Sequence, residues 1–362
     1  MKLSEAVLLI LAVFLFALLS YNLFSHSRYI LLALLCIFFI FHIRYWWKKR
    51  QVGEYSHESD PHGFIGYLPM GKRKRNYYLH LPSRLPNQKI PLVMAFHGGQ
   101  GNAQKFSDMT NFNAIADREN FAVVYPNACG YWNDGRESTT SKSGNDLLFV
   151  KHLVDHLVRT RNIDERRIYA TGASSGGMFT FRLACEMPNR FAAFATVIAS
   201  MPVPLKLQCE PSAPVALLMI NGTEDKLMPW QGGTIPMGQR RGAGGEVVSV
   251  PETLAFWQRC NGCWSASKVE AVLEDPYGDG TVVKILDYPC RKKGAALKLV
   301  AIEGGGHTWP GMVQPPPVLA RIVGKTSHAI DASETIWLFF RDRILQYEHQ
   351  QNTDNSGMHA TS

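Results

Sequence analysis

The stretch ATGASSGGMFTF, residues 170–181, decides the fold. It places Ser174 in the pattern G-x-S-x-G, between an apolar run that ends at Thr171 and a helix-like run that begins at Gly177. A serine on a tight strand-to-helix turn is a nucleophile elbow, whose crowded backbone requires glycine at both flanking positions. The context therefore predicts Ser174 as a nucleophile. Ser175 is the rival, although it lacks a glycine two residues earlier.

Apolar runs and helical patterns alternate on both sides of this stretch. The runs are NYYLHL, PLVMAF, FAVVYPN, APVALLMINGTED and ALKLVAIEGGGH. Continuous apolar runs bounded by turn residues are typical of strands that are buried on both faces. A helix with an apolar stripe falls near residues 146–162, and a capping box from Asp331 to Glu334 begins a final helix. The alternation predicts a doubly wound α/β sheet, whose functional residues lie at the carboxyl ends of the strands.

A serine nucleophile needs a base and an orienting acid further along the chain. In hydrolases of this kind the order is serine, acid, histidine. Asp225 follows the apolar run that ends in NGTED, and His307 follows the run that ends in EGGGH. Asp225 could instead cap a turn, Glu224 competes with it, and His307 could be an ordinary loop histidine. The order and the three strand-end positions favour Ser174, Asp225 and His307 as a triad.

The oxyanion of such a reaction needs two N–H donors. FHGGQGN, residues 96–102, follows the strand PLVMA and is similar to the HG-type loop that supplies one of them. We predict the N–H groups of Gly99 and Ser175 as the donors. Gly98 or Gln100 could replace Gly99, and a plain turn is the alternative interpretation.

The N-terminal region contains two uncharged apolar runs, residues 6–20 and 29–43. With their flanks, each approaches the roughly 20 residues of a membrane helix. An aromatic and basic cluster, RYWWKKR, follows the second run and is typical of a membrane interface. We predict a membrane anchor over 1–50, a linker over 51–70, a catalytic domain over 71–348 and a disordered tail over 349–362. The alternative for the first run is a cleavable signal peptide.

The net charge of +8 does not indicate nucleic-acid binding, because part of it lies in RYWWKKR and in KRKR at 72–75. A basic collar that faces anionic lipid explains these clusters, and no nucleic-acid motif is present. If the two apolar runs form a helical hairpin, most of the basic residues that flank them lie on the same side of the membrane. Because basic flanks favour the cytoplasmic side, this pattern favours a cytoplasmic catalytic domain.

Six cysteines lie outside the apolar runs, at 129, 185, 209, 260, 263 and 290. They favour export if they form disulfides, and they are buried thiols otherwise. In an exported domain Cys263 and Cys290 are the expected pair, because the turn EDPYGDGTVV between them can fold as a hairpin. The lone Cys260-x-x-Cys263 pair is weak evidence for zinc, and DPYGDGT is too short for a calcium loop.

Several segments together resemble the polyhydroxybutyrate depolymerase and feruloyl esterase group of α/β-hydrolases. These segments are FHGGQGN, TGASSGGM, NGTEDKLMPW, FWQRCNGC, GGGHTWPG and DASETIWLFF. The resemblance covers about residues 75–345. It implies the α/β-hydrolase fold and an esterase with Ser174 as nucleophile, Asp225 as acid and His307 as base, without a metal or organic cofactor. Family members are commonly secreted without an anchor, and the basic, glycine-rich GQRRGAGGEVV segment is unusual.

The predicted activity is that of a membrane-anchored serine esterase acting on short hydroxyacyl or aromatic acyl esters. Trp309 after His307, Trp230 after the acid and Trp132 after a strand are candidate walls of an open cleft, although a core position is the alternative for each. The insertion over 231–252, which contains Arg240 and Arg241, is interpreted as a polar loop rather than an apolar lid. The alternatives are a serine peptidase of the same fold and a non-catalytic, membrane-tethered ligand-binding module.

Overall fold

The computed structural model describes residues 63–71, 73–84, 87–99, 101–140, 144–236, 244–276 and 278–345. The predicted anchor over 1–50, most of the predicted linker and the tail over 349–362 lie outside these residues. None of the helices in the described ranges has the length and apolar character needed to span a membrane.

Twelve strands, nine α-helices and one 3₁₀ helix (Pro188–Arg190) are described in these ranges. The strands are β1 (Gly63–Met70), β2 (Arg73–His80), β3 (Ile90–Phe96), β4 (Ala122–Pro126), β5 (Ile163–Ala173), β6 (Ala193–Val197), β7 (Ala216–Gly222), β8 (Gly233–Thr234), β9 (Glu246–Val247), β10 (Lys268–Glu274), β11 (Val282–Tyr288) and β12 (Ala296–Glu303). The helices are α1 (Ala103–Thr110), α2 (Phe112–Glu119), α3 (Glu137–Thr140), α4 (Asp146–Thr160), α5 (Ser175–Glu186), α6 (Val203–Gln208), α7 (Val250–Asn261), α8 (Pro317–Val323) and α9 (Ala332–Phe340).

Ten of the strands form one sheet in the order β1-β2-β4-β3-β5-β6-β7-β12-β11-β10. The central strands from β4 to β12 are parallel, whereas both edges are antiparallel. This mostly parallel sheet, with its antiparallel second strand and its crossed third and fourth strands, is α/β-hydrolase-like. The predicted doubly wound α/β sheet is confirmed.

Both faces of the sheet are covered by helices, as the continuous apolar runs predict. In β3, Leu92, Met94 and Phe96 join one core, whereas Val93 and Ala95 join the other. Residues of α4, α5 and α7 pack in the first core, and residues of α1, α2 and α9 pack in the second. Because successive side chains point to opposite faces of a strand, a strand between two helical layers has no polar alternation.

The first strand corrects the predicted domain boundary. Residues 63–70, assigned from the sequence to the linker, form β1 and pair with β2 along their whole length. Two glycines, Gly63 and Gly66, weaken the strand pattern of this segment. The ring of Tyr77 covers Gly66, where an added Cβ would lie 2.2 Å from Tyr77 Cζ. The strand therefore depends on its pairing with β2, which follows it directly in the chain.

The described residues contain two disulfides, which join cysteines 24 and 27 positions apart. Cys263 pairs with Cys290, which confirms the predicted pair, and the turn between them connects the antiparallel strands β10 and β11. Cys185 at the end of α5 pairs with Cys209 after α6, a pair that the sequence did not predict. Because Cys263 is in a disulfide, the Cys260-x-x-Cys263 motif does not provide two thiolates for zinc.

Candidate active site

Ser174 lies at the turn between β5 and α5. Its φ of 55° and ψ of −118° place a non-glycine residue in a strained conformation, which costs roughly 1–3 kcal/mol and occurs mainly at functional sites. A Cβ on Gly176 would lie 2.1 Å from the carbonyl oxygen of Phe96, and one on Gly172 would lie 2.5 Å from the backbone of Gly176. The backbone of the turn itself therefore excludes a side chain at Gly172, and the close approach of β3 excludes one at Gly176.

Asp225 and His307 meet at the ends of neighbouring strands. Their loops follow β7 and β12, which are paired in parallel, so both loops leave the sheet at the same edge. His307 Nδ1 lies 2.7 Å from Asp225 Oδ2. The other carboxylate oxygen, Oδ1, accepts the backbone N–H groups of Leu227 at 2.8 Å and Met228 at 2.7 Å. Asp225 is thus buried with both oxygens hydrogen-bonded, and it can hold the imidazole in one orientation.

Glu224, the competing acid, is exposed to solvent. Its backbone N–H donates to the carbonyl oxygen of Gly305 at 2.9 Å, so the loop is fixed at this residue through the main chain. Of these two carboxylates, only that of Asp225 forms a hydrogen bond with His307 within the described residues. The geometry thus selects Asp225 over its neighbour.

A cavity of about 420 Å³ lies at this edge of the sheet, and both Ser174 and His307 line it. Its walls are mostly apolar and include Met109, Met178, Ile198, Met228, Ile235 and Leu319. Two cations, Lys105 and Arg136, also line it. Arg136 is buried and paired with the buried Asp134, so its charge is offset inside the protein.

The loop after β3 passes over the start of α5. A Cβ built on Gly98 would lie 3.5 Å from Ser174 Cβ, and one built on Gly99 would lie 3.8 Å from Ser175 Oγ. Both glycines line the cavity together with Ser175. The two predicted donor residues are therefore neighbours beside Ser174, whereas Gln100 lies outside the described residues.

Two of the three predicted tryptophans, Trp132 and Trp309, lie deeper than an open cleft would place them. Trp309 lines the cavity, but it is only 2% exposed, packs against Phe106 and Phe112, and donates through Nε1 to Ser333 Oγ at 3.1 Å. It is therefore a core residue that also forms part of the cavity wall.

Trp132 and Trp230 are not among the residues that form the cavity wall in the described structure. Trp132 is 1% exposed and stacks on Phe179, and its Nε1 donates to the carbonyl oxygen of His97 at 2.9 Å. Trp230 packs against the core on the α7 side. Trp132 thus corresponds to the core alternative that the sequence left open, whereas Trp230 is only partly buried.

The apolar element beside the cavity is α8, a helix that follows His307 in sequence. Its Leu319 and Val323 line the cavity, whereas Val318 is 78% exposed and Ile322 also faces solvent. This helix lies outside the insertion over 231–252, which is where the sequence analysis places the position of a possible apolar lid. Three consecutive prolines, residues 315–317, are the sequence signal that could have marked the start of this short helix.

The insertion over 231–252 also differs from the predicted polar loop. In its described part, β8 pairs with β9, and Ile235 is buried and lines the cavity. Arg240 and Arg241 lie outside the described residues. Ile235 was obscured in the sequence by the surrounding glycines, which dominate the composition of the segment.

The described residues contain no group of three or more histidine, cysteine, aspartate or glutamate side chains placed to bind a metal ion.

Comparison with known proteins assigns the family. The model of the family described as esterase PHB depolymerase matches residues 75–201. NocK of Nocardia uniformis subsp. tsuyamanensis, whose name classes it with the esterases, is 30% identical over 275 residues, which are 73% of this chain and 78% of that protein. The chain belongs to the esterase PHB depolymerase family. It is a carboxylic ester hydrolase of the serine hydrolase type.

Other members and structures are similar over smaller parts. Feruloyl esterase B of Talaromyces funiculosus is 30% identical over 129 residues, which are 34% of this chain and 36% of that protein. The chain thus matches about a third of the length of that relative. The solved structure of an acetyl xylan esterase from Aspergillus awamori covers 68% of this chain and 94% of its own, at 17% identity and a TM-score of 0.49.

Proposed function

We propose that this family member is a serine esterase that uses Ser174, His307 and Asp225 as its triad. His307 takes the proton of the Ser174 hydroxyl as the oxygen attacks an ester carbonyl carbon. Asp225 holds the imidazole through Nδ1 and stabilises the imidazolium that forms. The observation that carries the proposal is the 2.7 Å contact of His307 Nδ1 with Asp225 Oδ2 in a cavity that Ser174 shares.

The oxyanion of the tetrahedral intermediate is stabilised by the N–H groups of Gly99 and Ser175. Ser175 is the first residue of α5, where backbone N–H groups lack partners within the helix and the helix dipole favours negative charge. The intermediate collapses as the imidazolium gives its proton to the departing alkoxide, which leaves Ser174 acylated. Water, deprotonated by His307, then releases the acid and restores the serine.

The substrates of this esterase are short hydroxyacyl or aromatic acyl esters. Mostly apolar walls favour the acyl part of an ester over a peptide backbone, whose amide groups would lose hydrogen bonds to water. The names of the matching family and of feruloyl esterase B support these two acyl classes.

An ester series tests both the activity and the acyl preference. In nitrophenyl esters from acetate to palmitate, we expect kcat/KM to peak at a short chain and to fall at least about tenfold by palmitate, a loss of roughly 1.4 kcal/mol. The reason is that methylenes contribute about 0.8 kcal/mol each only while the 420 Å³ cavity can bury them. Methyl ferulate is measured alongside.

Leu319→Ala supplies a matched variant for this series, because it removes part of the wall that α8 contributes. Its optimum should move to longer chains. Val318→Ala changes the exposed neighbour on the same helix and should leave the optimum in place. A wild-type optimum at palmitate would contradict the proposed acyl preference, and no turnover of any ester would contradict the esterase itself.

The proposal includes attachment to a membrane through the apolar runs over 6–20 and 29–43, with the catalytic domain exported. The basic flanks of these runs favour the cytoplasmic side. The two disulfides support the exported side, since such bonds persist in oxidising compartments. The disulfides lie in the catalytic domain itself, whereas the basic residues flank the apolar runs. The disulfides are therefore the more direct argument for the side on which this domain lies.

A phosphatase fused to the C-terminus tests this orientation. We expect the fused phosphatase to be active outside the cytoplasm. The reason is that the catalytic domain before it needs an oxidising compartment for the disulfides Cys185–Cys209 and Cys263–Cys290. Mass spectrometry of alkylated protein from its native membrane should find these four cysteines unmodified, because a cysteine in a disulfide does not react with the alkylating reagent. Cys129 is the free-thiol control and should be alkylated. An inactive fusion together with four free thiols would place the domain in the cytoplasm.

A further inference from the structure

Gly98, at the turn after β3, has its carbonyl oxygen held from two sides. His97 Nδ1 lies 2.8 Å from this oxygen, and the backbone N–H of Gly101 donates to it at 3.1 Å. The loop is further fixed at the preceding residue, whose carbonyl oxygen accepts the indole N–H of Trp132 at 2.9 Å. Two consecutive carbonyl groups of the loop are therefore oriented by specific donors.

The second ring nitrogen of His97 identifies which nitrogen carries the proton. The backbone N–H of Ala128 donates to His97 Nε2 at 3.2 Å, so Nε2 accepts and has no hydrogen. Nδ1 consequently carries the proton and donates it to the carbonyl oxygen of Gly98. Burial lowers the pKa of His97 below its usual range, and the nearby charge of Arg75 lowers it further, so the ring stays neutral around pH 7.

The orientation of the Gly98 carbonyl determines where the next N–H points. In a trans peptide the C=O of one residue and the N–H of the following residue point in opposite directions, and the described residues contain no cis peptide bond. With its oxygen turned towards the His97 ring, the Gly98–Gly99 peptide directs the N–H of Gly99 away from that ring. Gly99 lies beside Ser175, and both residues line the cavity, as does His97.

We propose that His97 is a positioning residue that aims the Gly99 N–H at the oxyanion by holding the Gly98 carbonyl through Nδ1–H. This inference rests on the proposed esterase function and adds a residue to its machinery. His97 does not touch the reacting atoms in this role. It fixes the plane of the Gly98–Gly99 peptide before substrate binds. The N–H of Gly99 therefore does not have to reorient during the reaction.

Two amide replacements separate the two hydrogen bonds of the ring. In His97→Asn the side-chain amide occupies the place of Nδ1 and can donate to the carbonyl oxygen of Gly98. In His97→Gln the amide reaches the place of Nε2 and can accept from Ala128, but it has no donor near Gly98. Each variant therefore keeps one of the two hydrogen bonds of the ring, and the wild type keeps both.

Steady-state kinetics on a soluble nitrophenyl ester is the first readout. Since loss of one oxyanion donor costs about 10²–10³-fold in kcat, a misdirected donor in His97→Gln should cost about 10- to 100-fold, with KM changed less than about twofold. His97→Asn should stay within about fivefold of the wild type. His97→Leu, isosteric with the asparagine variant but without a donor, repeats the test if His97→Gln does not fold.

The reverse pattern, with His97→Gln active and His97→Asn impaired, would overturn the inference, because the Ala128 contact would then be the important one. Equal loss or equal retention in both variants would also overturn it. The amide resonance of Gly99 in a ¹H–¹⁵N spectrum gives a second readout that needs no turnover. It should shift in His97→Gln and not in His97→Asn, so the inference can be tested even if the wild type hydrolyses no ester and the proposed function fails.

Discussion

Ser174→Ala should lower kcat for a nitrophenyl ester by at least about 10⁴-fold, since loss of a triad nucleophile removes the covalent route and leaves only the contribution of binding and of the oxyanion site. KM should change little, because the serine oxygen contributes little to the apolar cavity walls. Thermal unfolding should occur at or above the wild-type temperature, because the variant keeps the elbow and loses only one oxygen. Stopped assays at high enzyme concentration are needed to measure the residual rate.

The adjacent serine supplies the comparison. Ser175→Ala removes the rival hydroxyl and keeps the backbone N–H that the mechanism uses, so we expect a loss of at most about tenfold, within the usual range for a neighbouring side chain. If Ser175→Ala abolished activity and Ser174→Ala did not, the elbow would present the other serine and the proposed triad would be wrong.

Asp225→Asn should reduce kcat by about 10³–10⁴-fold with little change in KM. The amide is close in size to the carboxylate, so the two backbone donors at Leu227 and Met228 still find an oxygen. The remaining amide group then faces His307 Nδ1 and donates to it, which selects the tautomer that cannot take the proton of the Ser174 hydroxyl. The imidazolium also loses the negative charge that stabilises it.

Glu224→Gln is the matched control for this change. It alters the neighbouring carboxylate in the same chemical way, but Glu224 is exposed, so we expect kcat within about twofold of the wild type, as for most surface substitutions. Similar losses in the two variants would indicate a general effect of charge near the cavity and would contradict a specific role for Asp225.

The elbow could be predicted because its signal is local. Gly172 and Gly176 flank Ser174 within five residues. The tightness of the turn itself requires Gly172, and the neighbouring backbone of Phe96 requires Gly176. The parallel sheet was also predictable, since strands buried on both faces have continuous apolar runs. The strand-end positions of Asp225 and His307 followed from these runs.

Other features depend on contacts that the local sequence does not contain. Asp225 and His307 are 82 positions apart, so only the pairing of β7 with β12 fixes their distance. Trp132 and Trp309 have a strand-end position in sequence like that of the site residues, but the depth of each ring is set by the helices that cover it. The role inferred for His97 cannot be predicted from the local sequence either, because the N–H of Ala128, which lies 31 positions away, decides which ring nitrogen carries the proton.

The most direct measurement of the central claim is covalent labelling by a fluorophosphonate, followed by mass spectrometry of the modified peptide. The account predicts one phosphonyl group on the wild type, located on Ser174, and no labelling of Ser174→Ala under the same conditions. Asp225→Asn should be labelled much more slowly, whereas Glu224→Gln should react at about the wild-type rate. A folded wild type that stays unlabelled, or a label on any residue other than Ser174, would contradict the account.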